Sequence, residues 1–158
     1  MENALMETKP LNTFGVRIIE LPACRMATSK GHDLGEFDQW WSAVDKTRVD
    51  RFFPRDFMYY DKPAGELVWL YALPEGANSG KYNVVDFAGG PYAAAISRDT
   101  DDVDGERVLN GIKEWVKATG CFADDESDAR PVLFHVITSN PAFEKLGYRQ
   151  LDIYLPVK

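Results

Sequence analysis

The run PVLFHVITSN, residues 131–140, holds one imidazole inside otherwise apolar sequence. Imidazole changes charge near neutral pH, so His135 could act as a general base, bind a metal or direct a hydrogen bond at a ligand. The alternative is a core histidine whose ring nitrogens are simply satisfied. Its neighbours by strand parity, Leu133, Ile137 and Ser139, mark an inward-facing position but do not separate packed core from cavity. A metal would need His, Cys or carboxylate ligands at short spacing. His32 and His135 lie far apart, as do Cys24 and Cys121, so neither a metal nor a cofactor is expected. Neither Cys24 nor any serine has a base or orienting group visible in sequence, so no catalytic residue is assigned and the chain reads as a binder more than an enzyme.

Two glycines in FAGGPY invite a phosphate-loop reading, but they lead into Tyr92 and the strand-like AAAIS, not into a helix N-terminus, so a bulge or bend is expected. The acidic run DTDDVDGE, residues 99–106, fails as a calcium loop, because Gly105 at the sixth position puts Gly111 where a bidentate glutamate belongs. Acidic residues opening a helix explain it better. DDESD at 124–128 reads as solvated loop charge, and the two cysteines as buried free thiols.

The aromatic residues carry a stronger signal. If RDFMYY and ELVWLYAL pair across DKPAG, Phe57, Tyr59, Trp69 and Tyr71 share one face of a hairpin. Tyrosine and tryptophan combine large apolar area with a polar atom, which suits a partly hydrated cavity for flat or cationic organic molecules. Asp152 and Tyr154 likewise share a face of the last strand.

These side chains are to be positioned by a repeated set of elements. FGVRIIELPACRMAT reads as a bent strand with Pro22 at the bend, and DLGEFDQWWSAVDKTR as a helix at about 35–49 with Asp33 and Glu36 at capping-box spacing. A hairpin follows. KYNVVDFAGGPYAAAIS then reads as strand, GERVLNGIKEWVKAT as a helix stopped by Gly120, and PVLFHVIT and YRQLDIYLPV as two more strands. The order strand, helix, strand, strand therefore occurs twice, at about 14–74 and 80–158, joined by the flexible PEGANSG. This predicts one α+β domain over 14–158, a largely antiparallel curved sheet with two main helices around a central pocket, after a loose tail at 1–13.

Composition narrows the function classes. At 158 residues, with 45% hydrophobic and 13% aromatic content, the chain suits a single core. A net charge of −7 repels phosphate backbones, so direct nucleic-acid binding is not expected. No apolar run approaches the roughly 18 residues needed to span a bilayer, and the start lacks a signal-peptide pattern, so no membrane association and a soluble, cytoplasmic protein are expected.

Taken in order and spacing, VRIIELPACRMA, MYYDKPAGE, KYNVVDFAGGPY, IKEWVKATG, LFHVITSNP and LDIYLPVK resemble the GyrI-like effector-binding domain over residues 15–158. That family comprises small-molecule sensors at the C-termini of AraC-type and MerR-type multidrug regulators, and stand-alone proteins. The resemblance implies paired strand–helix–strand–strand units around a ligand pocket. It places His135 where the family commonly carries a glutamate that meets cationic aromatic ligands. Residues 1–13 are too short for a helix-turn-helix, which implies a stand-alone binder that senses or sequesters a flat, lipophilic organic ligand, cationic ones included. Trp41, Trp69, Tyr71, Tyr92, His135, Asp152 and Tyr154 are the expected lining residues. Two alternatives accompany this reading: hydrolysis of reactive natural products with His135 as base, and a GyrI-type protein-interaction role with a protein partner.

Overall fold

In the computed structural model, which describes residues 10–158, Pro22 and Ala23 split the first apolar segment into β1 (Arg17–Leu21) and β2 (Cys24–Thr28). The greater part of the expected 1–13 tail lies outside the described residues. Next come α1 (Leu34–Lys46), β3 (Asp56–Asp61), β4 (Glu66–Ala72) and β5 (Asn83–Phe87). Then follow β6 (Gly90–Arg98), α2 (Asp102–Thr119), β7 (Leu133–Val136), α3 (Asn140–Leu146) and β8 (Gln150–Pro156). The architecture is α+β with antiparallel strand pairs, as the alternation of strand and helix patterns implies.

The chain divides into two compact units, one of Leu21–Gly90, the other joining the N-terminal stretch through Glu20 to Pro91–Lys158. In the first, the strands lie in the order β3, β4, β2, β5. Here α1 covers one sheet face, packing Phe37, Trp40, Trp41 and Val44 on Ala27, Trp69, Tyr71 and Val84. Asp33 caps that helix by accepting a 2.9 Å bond from the Glu36 N–H, as its spacing predicts. The helix ends at Lys46, short of the expected 49, because the chain turns inward and the Arg48 guanidinium reaches the Ala72 carbonyl and the Tyr71 hydroxyl.

The hairpin register differs from the sequence expectation. Asp61 pairs with Glu66, so the connection is the four-residue Lys62–Gly65, not the five-residue DKPAG. Gly65 at φ +67° and its N–H bond to the Asp61 carbonyl close it. One residue fewer in the loop inverts the facing: Phe57 and Tyr59 lie with Val68 and Leu70, while Trp69 and Tyr71 lie with Asp56 and Met58 on the helix side. Phe57, Tyr59, Trp69 and Tyr71 therefore do not share a face.

In the second unit the order is β1, β6, β8, β7. There α2 packs Val108, Ile112 and Val116 on Ala93, Ala95, Ile153 and Leu155, all buried. A glycine at 111, costly in a helix interior, is explained by the Phe14 ring, which occupies the space a Cβ would fill. The acidic run opens the helix as expected: Asp101 is the N-cap and Gly120, at φ +66°, ends it. DDESD is more structured than a solvated loop, with Asp125 bonded to Arg130 at 2.8 Å. Cys24 is half-buried, which pushes its thiol up to about 11, whereas Cys121 is exposed, contrary to expectation.

Asp104 makes acid stability measurable. Its carboxylate takes bonds from Arg107 at 2.7 Å, the Arg98 N–H at 2.9 Å and the Ser97 hydroxyl at 3.0 Å, which together hold its pKa at about 2. In the unfolded chain the group protonates near an ordinary aspartate value. The stabilisation is therefore complete above about pH 4 and is lost as pH falls through about 2. Asp104→Asn should flatten the decline of the thermal midpoint across that window; an unchanged slope would mean other carboxylates control it.

Candidate ligand-binding site

On β6, β7 and β8, side chains alternate between the face covered by α2 and the opposite face. Ala93, Ala95, Ile153 and Leu155 serve the helix. Tyr92, Ala94, Leu133, His135, Asp152 and Tyr154 point the other way. The register makes them neighbours: Asp152 lies between Ile96 and His135, and Tyr154 between Ala94 and Leu133. Tyr92, His135, Asp152 and Tyr154 thus gather on the face opposite α2, all of them buried, although they come from three strands.

Asp152 is the focus of this face. Its Oδ2 accepts the Tyr154 hydroxyl at 2.9 Å, and its Oδ1 accepts from Arg17 Nη2 at 3.4 Å. The carboxylate is buried, and so is the opposing His135. A carboxylate out of water is costly unless paired, so this one is a strong acceptor for any donor or cation that reaches it. The Tyr154 ring meets Tyr92 edge-on, with centroids 6.4 Å apart at 89°. Above Tyr92 lies the Arg130 guanidinium, 4.7 Å from the ring centroid. Arg130 is itself fixed by Asp125 and by the Pro91 and Val157 carbonyls at 3.0 and 3.2 Å. Burial pushes the Tyr92 hydroxyl pKa up, against the lowering effect of Arg130, so Tyr92 is neutral at physiological pH. Ile96, paired with Asp152, is 47% exposed, whereas Asp152 and the rings beyond it are buried.

Trp41, Trp69 and Tyr71 occupy a different setting in the Leu21–Gly90 unit. They lie in the seam between α1 and β4, with Trp41 stacked on Tyr71 at 5.2 Å and edge-on to Trp69 at 5.6 Å. The Trp69 indole donates to Asp56 at 3.0 Å, and the Tyr71 hydroxyl to Asp45 at 3.0 Å. The Trp41 indole N–H is buried with no hydrogen-bond partner among the described residues. This seam is helix-on-sheet packing.

Arg17 and Arg130, which the sequence does not mark, also touch this face, Arg17 through Asp152 and Arg130 through Tyr92. Arg17 is separated from Asp152 by 135 positions, and only the placement of β1 beside β6 brings them together. Arg130 carried a faint signal, a basic residue between an acidic cluster and the His135 strand. Among the described residues no group of three or more His, Cys, Asp or Glu is placed to hold a metal, and no helix is long and apolar enough to cross a membrane.

No protein-family model matches the chain, and no curated protein matches it in sequence. Solved structures do match in fold. A structure described as a hydrolase from Listeria innocua superposes with a TM-score of 0.61 at 12% identity, covering 99% of this chain and 98% of that one. The C-terminal domain of EcmrR gives 0.58 at 14% identity, covering 90% and 96%. SAV2435, solved bound to tetraphenylphosphonium, gives 0.53 at 12% identity, covering 90% and 93%.

Proposed function

We propose that this protein binds small, lipophilic, aromatic organic cations, as a GyrI-like effector-binding module, through the face opposite α2 that carries Tyr92, His135, Asp152 and Tyr154. The observation that carries this reading is the buried Asp152 carboxylate bonded to Tyr154 on an aromatic-bearing face. The family's usual glutamate position holds His135, and the negative charge is supplied instead from the adjacent strand, directly opposite. The fold likeness to a protein solved with tetraphenylphosphonium supports the choice of probe. The Tyr154 ring would supply apolar and cation–π contact, next to a Tyr92 ring that already carries the Arg130 guanidinium, and the carboxylate the preference for positive charge. Sensing or sequestration of such compounds would follow from binding alone.

The test is calorimetric titration with tetraphenylphosphonium and with neutral triphenylphosphine oxide. Asp152→Asn should weaken the cation by about 10- to 100-fold, roughly 1.4–2.8 kcal/mol, and leave the neutral compound unaffected. Equal cation affinity in the variant and the parent would sink the proposal.

A hydrolytic reading has two supports: His135 faces Asp152 across β7 and β8, an arrangement in which a carboxylate can orient a basic imidazole, and the fold resembles a protein described as a hydrolase. If it holds, His135→Gln should abolish turnover of reactive electrophilic substrates while binding survives. Retained turnover in that variant would remove His135 as the base.

A further inference from the structure

Two aspartates of the same unit show what a settled arginine pair looks like here. Arg107 meets Asp104 at 2.7 Å and Arg130 meets Asp125 at 2.8 Å, ordinary lengths for charge-assisted bonds. Arg17 meets Asp152 only at 3.4 Å. The two partners are also unequally buried, the Arg17 side chain being 55% exposed and that of Asp152 11%. A long contact from a half-exposed arginine to a buried carboxylate costs little to break from the arginine side. The carboxylate, by contrast, is the buried partner, and it gains from any positive charge that comes beside it.

The oxygens are divided accordingly. Tyr154 holds Oδ2, which leaves Oδ1 as the position for a cation, and that is the oxygen Arg17 contacts. An organic cation bound beside Tyr154 would compete with Arg17 for the charge of that carboxylate. From this geometry we infer that Arg17 is a displaceable internal counter-ion: it neutralises Asp152 in the empty site and gives way to a cationic ligand, and so sets the affinity threshold and the charge selectivity of the site. This rests on the cation-binding reading above. It adds a specificity-determining residue on β1, a strand that contributes no aromatic lining group to the site.

The exchange of one positive charge for another explains how a buried carboxylate can select cations without being exposed between binding events. It also makes a directional statement opposite to the usual result of deleting a charged residue: removing Arg17 should improve binding. A lining residue that contacts the ligand would do the reverse.

The experiment is calorimetric titration of the full chain with tetraphenylphosphonium and triphenylphosphine oxide, using the parent, Arg17→Gln, Arg17→Ala, Asp152→Asn and the Arg17→Gln/Asp152→Asn double variant. Both Arg17 variants should bind the phosphonium about 5- to 10-fold more tightly and the neutral oxide unchanged. The gain should vanish in the double variant, because the competition exists only while the carboxylate does. Thermal midpoints near that of the parent would confirm that the exposed substitution leaves the fold intact. Unchanged or weaker phosphonium binding in both Arg17 variants, with Asp152→Asn still weakening it, would overturn the counter-ion role and leave the binding site standing. Identical phosphonium affinity in the parent, the Arg17 variants and Asp152→Asn would overturn both.

Discussion

Gly89→Ala is expected to cost at least about 4 kcal/mol of stability, among the largest effects a single methyl group can have. Gly89 holds φ +67°, and a Cβ built there would overlap the Leu21 carbonyl oxygen and crowd the Ala23 nitrogen and Pro22 carbonyl carbon. All three are backbone atoms at the β1–β2 break, so no side chain can rotate away. Gly76 isolates the conformational part of the cost. It has nearly the same φ, +72°, with nothing within 4 Å of an added methyl, so Gly76→Ala should lose only about 1–2 kcal/mol, the left-handed penalty alone. At roughly 2–4 °C per kcal/mol for a chain this size, the thermal midpoint should fall by about 10 °C or more for Gly89→Ala and by a few degrees for Gly76→Ala. Circular dichroism melts of the two variants decide it. Equal shifts would show that backbone overlap contributes nothing.

That result would also fix the meaning of FAGGPY. The glycine pair invites a phosphate-loop reading by composition, yet its role is to let two backbone segments approach closely between β5 and β6. What is legible in a sequence is what is local. Asp33 with Glu36, and the acidic run before Val108, announce caps because a helix end is satisfied by residues a few positions away. The duplicated order of strands and helices is visible for the same reason. Facing across the hairpin is not, because it turns on whether the connection is the four residues Lys62–Gly65 or five, and a slip of one exchanges every side chain between faces. The short helix α3 is absent from the sequence expectation although its signals are local: Ser139 as cap, Pro141 in the first turn and Gly147 as stop. At seven residues it is too brief for an apolar periodicity to stand out beside them.

The candidate site shows the same division. Asp152 and Tyr154 share a face by parity within one strand, which sequence supplies. Their meeting with His135 needs the β7–β8 register, and their meeting with Arg17 needs β1 to lie beside β6, a strand far away in sequence. Long-range pairing is set by which strands exclude water together, and no local pattern records it.

Tyr71→Ala separates the two aromatic groups of the molecule. Tyr71 is fully buried, stacks on Trp41, and its hydroxyl bridges Asp45 at 3.0 Å and Arg48 at 3.3 Å. Removing the ring deletes a large apolar volume and leaves Arg48, whose side chain is only 2% exposed, without one of its acceptors. The expected loss is about 3–5 kcal/mol, a large share of the roughly 5–15 kcal/mol typical of a domain. Tyr71→Phe keeps the ring and should lose only about 1–2 kcal/mol, the hydrogen-bonding part. Because the seam between α1 and β4 is helix-on-sheet packing, the folded fraction of Tyr71→Ala should bind tetraphenylphosphonium as the parent does, once titrations are run well below its melting midpoint. A folded Tyr71→Ala protein with cation affinity reduced tenfold, beside an unaffected Tyr71→Phe, would instead make the Trp41, Trp69 and Tyr71 cluster part of the ligand surface. The distinction is physical: a ring that only packs is felt as a change in the midpoint of unfolding, and a ring that touches ligand is felt at constant fold.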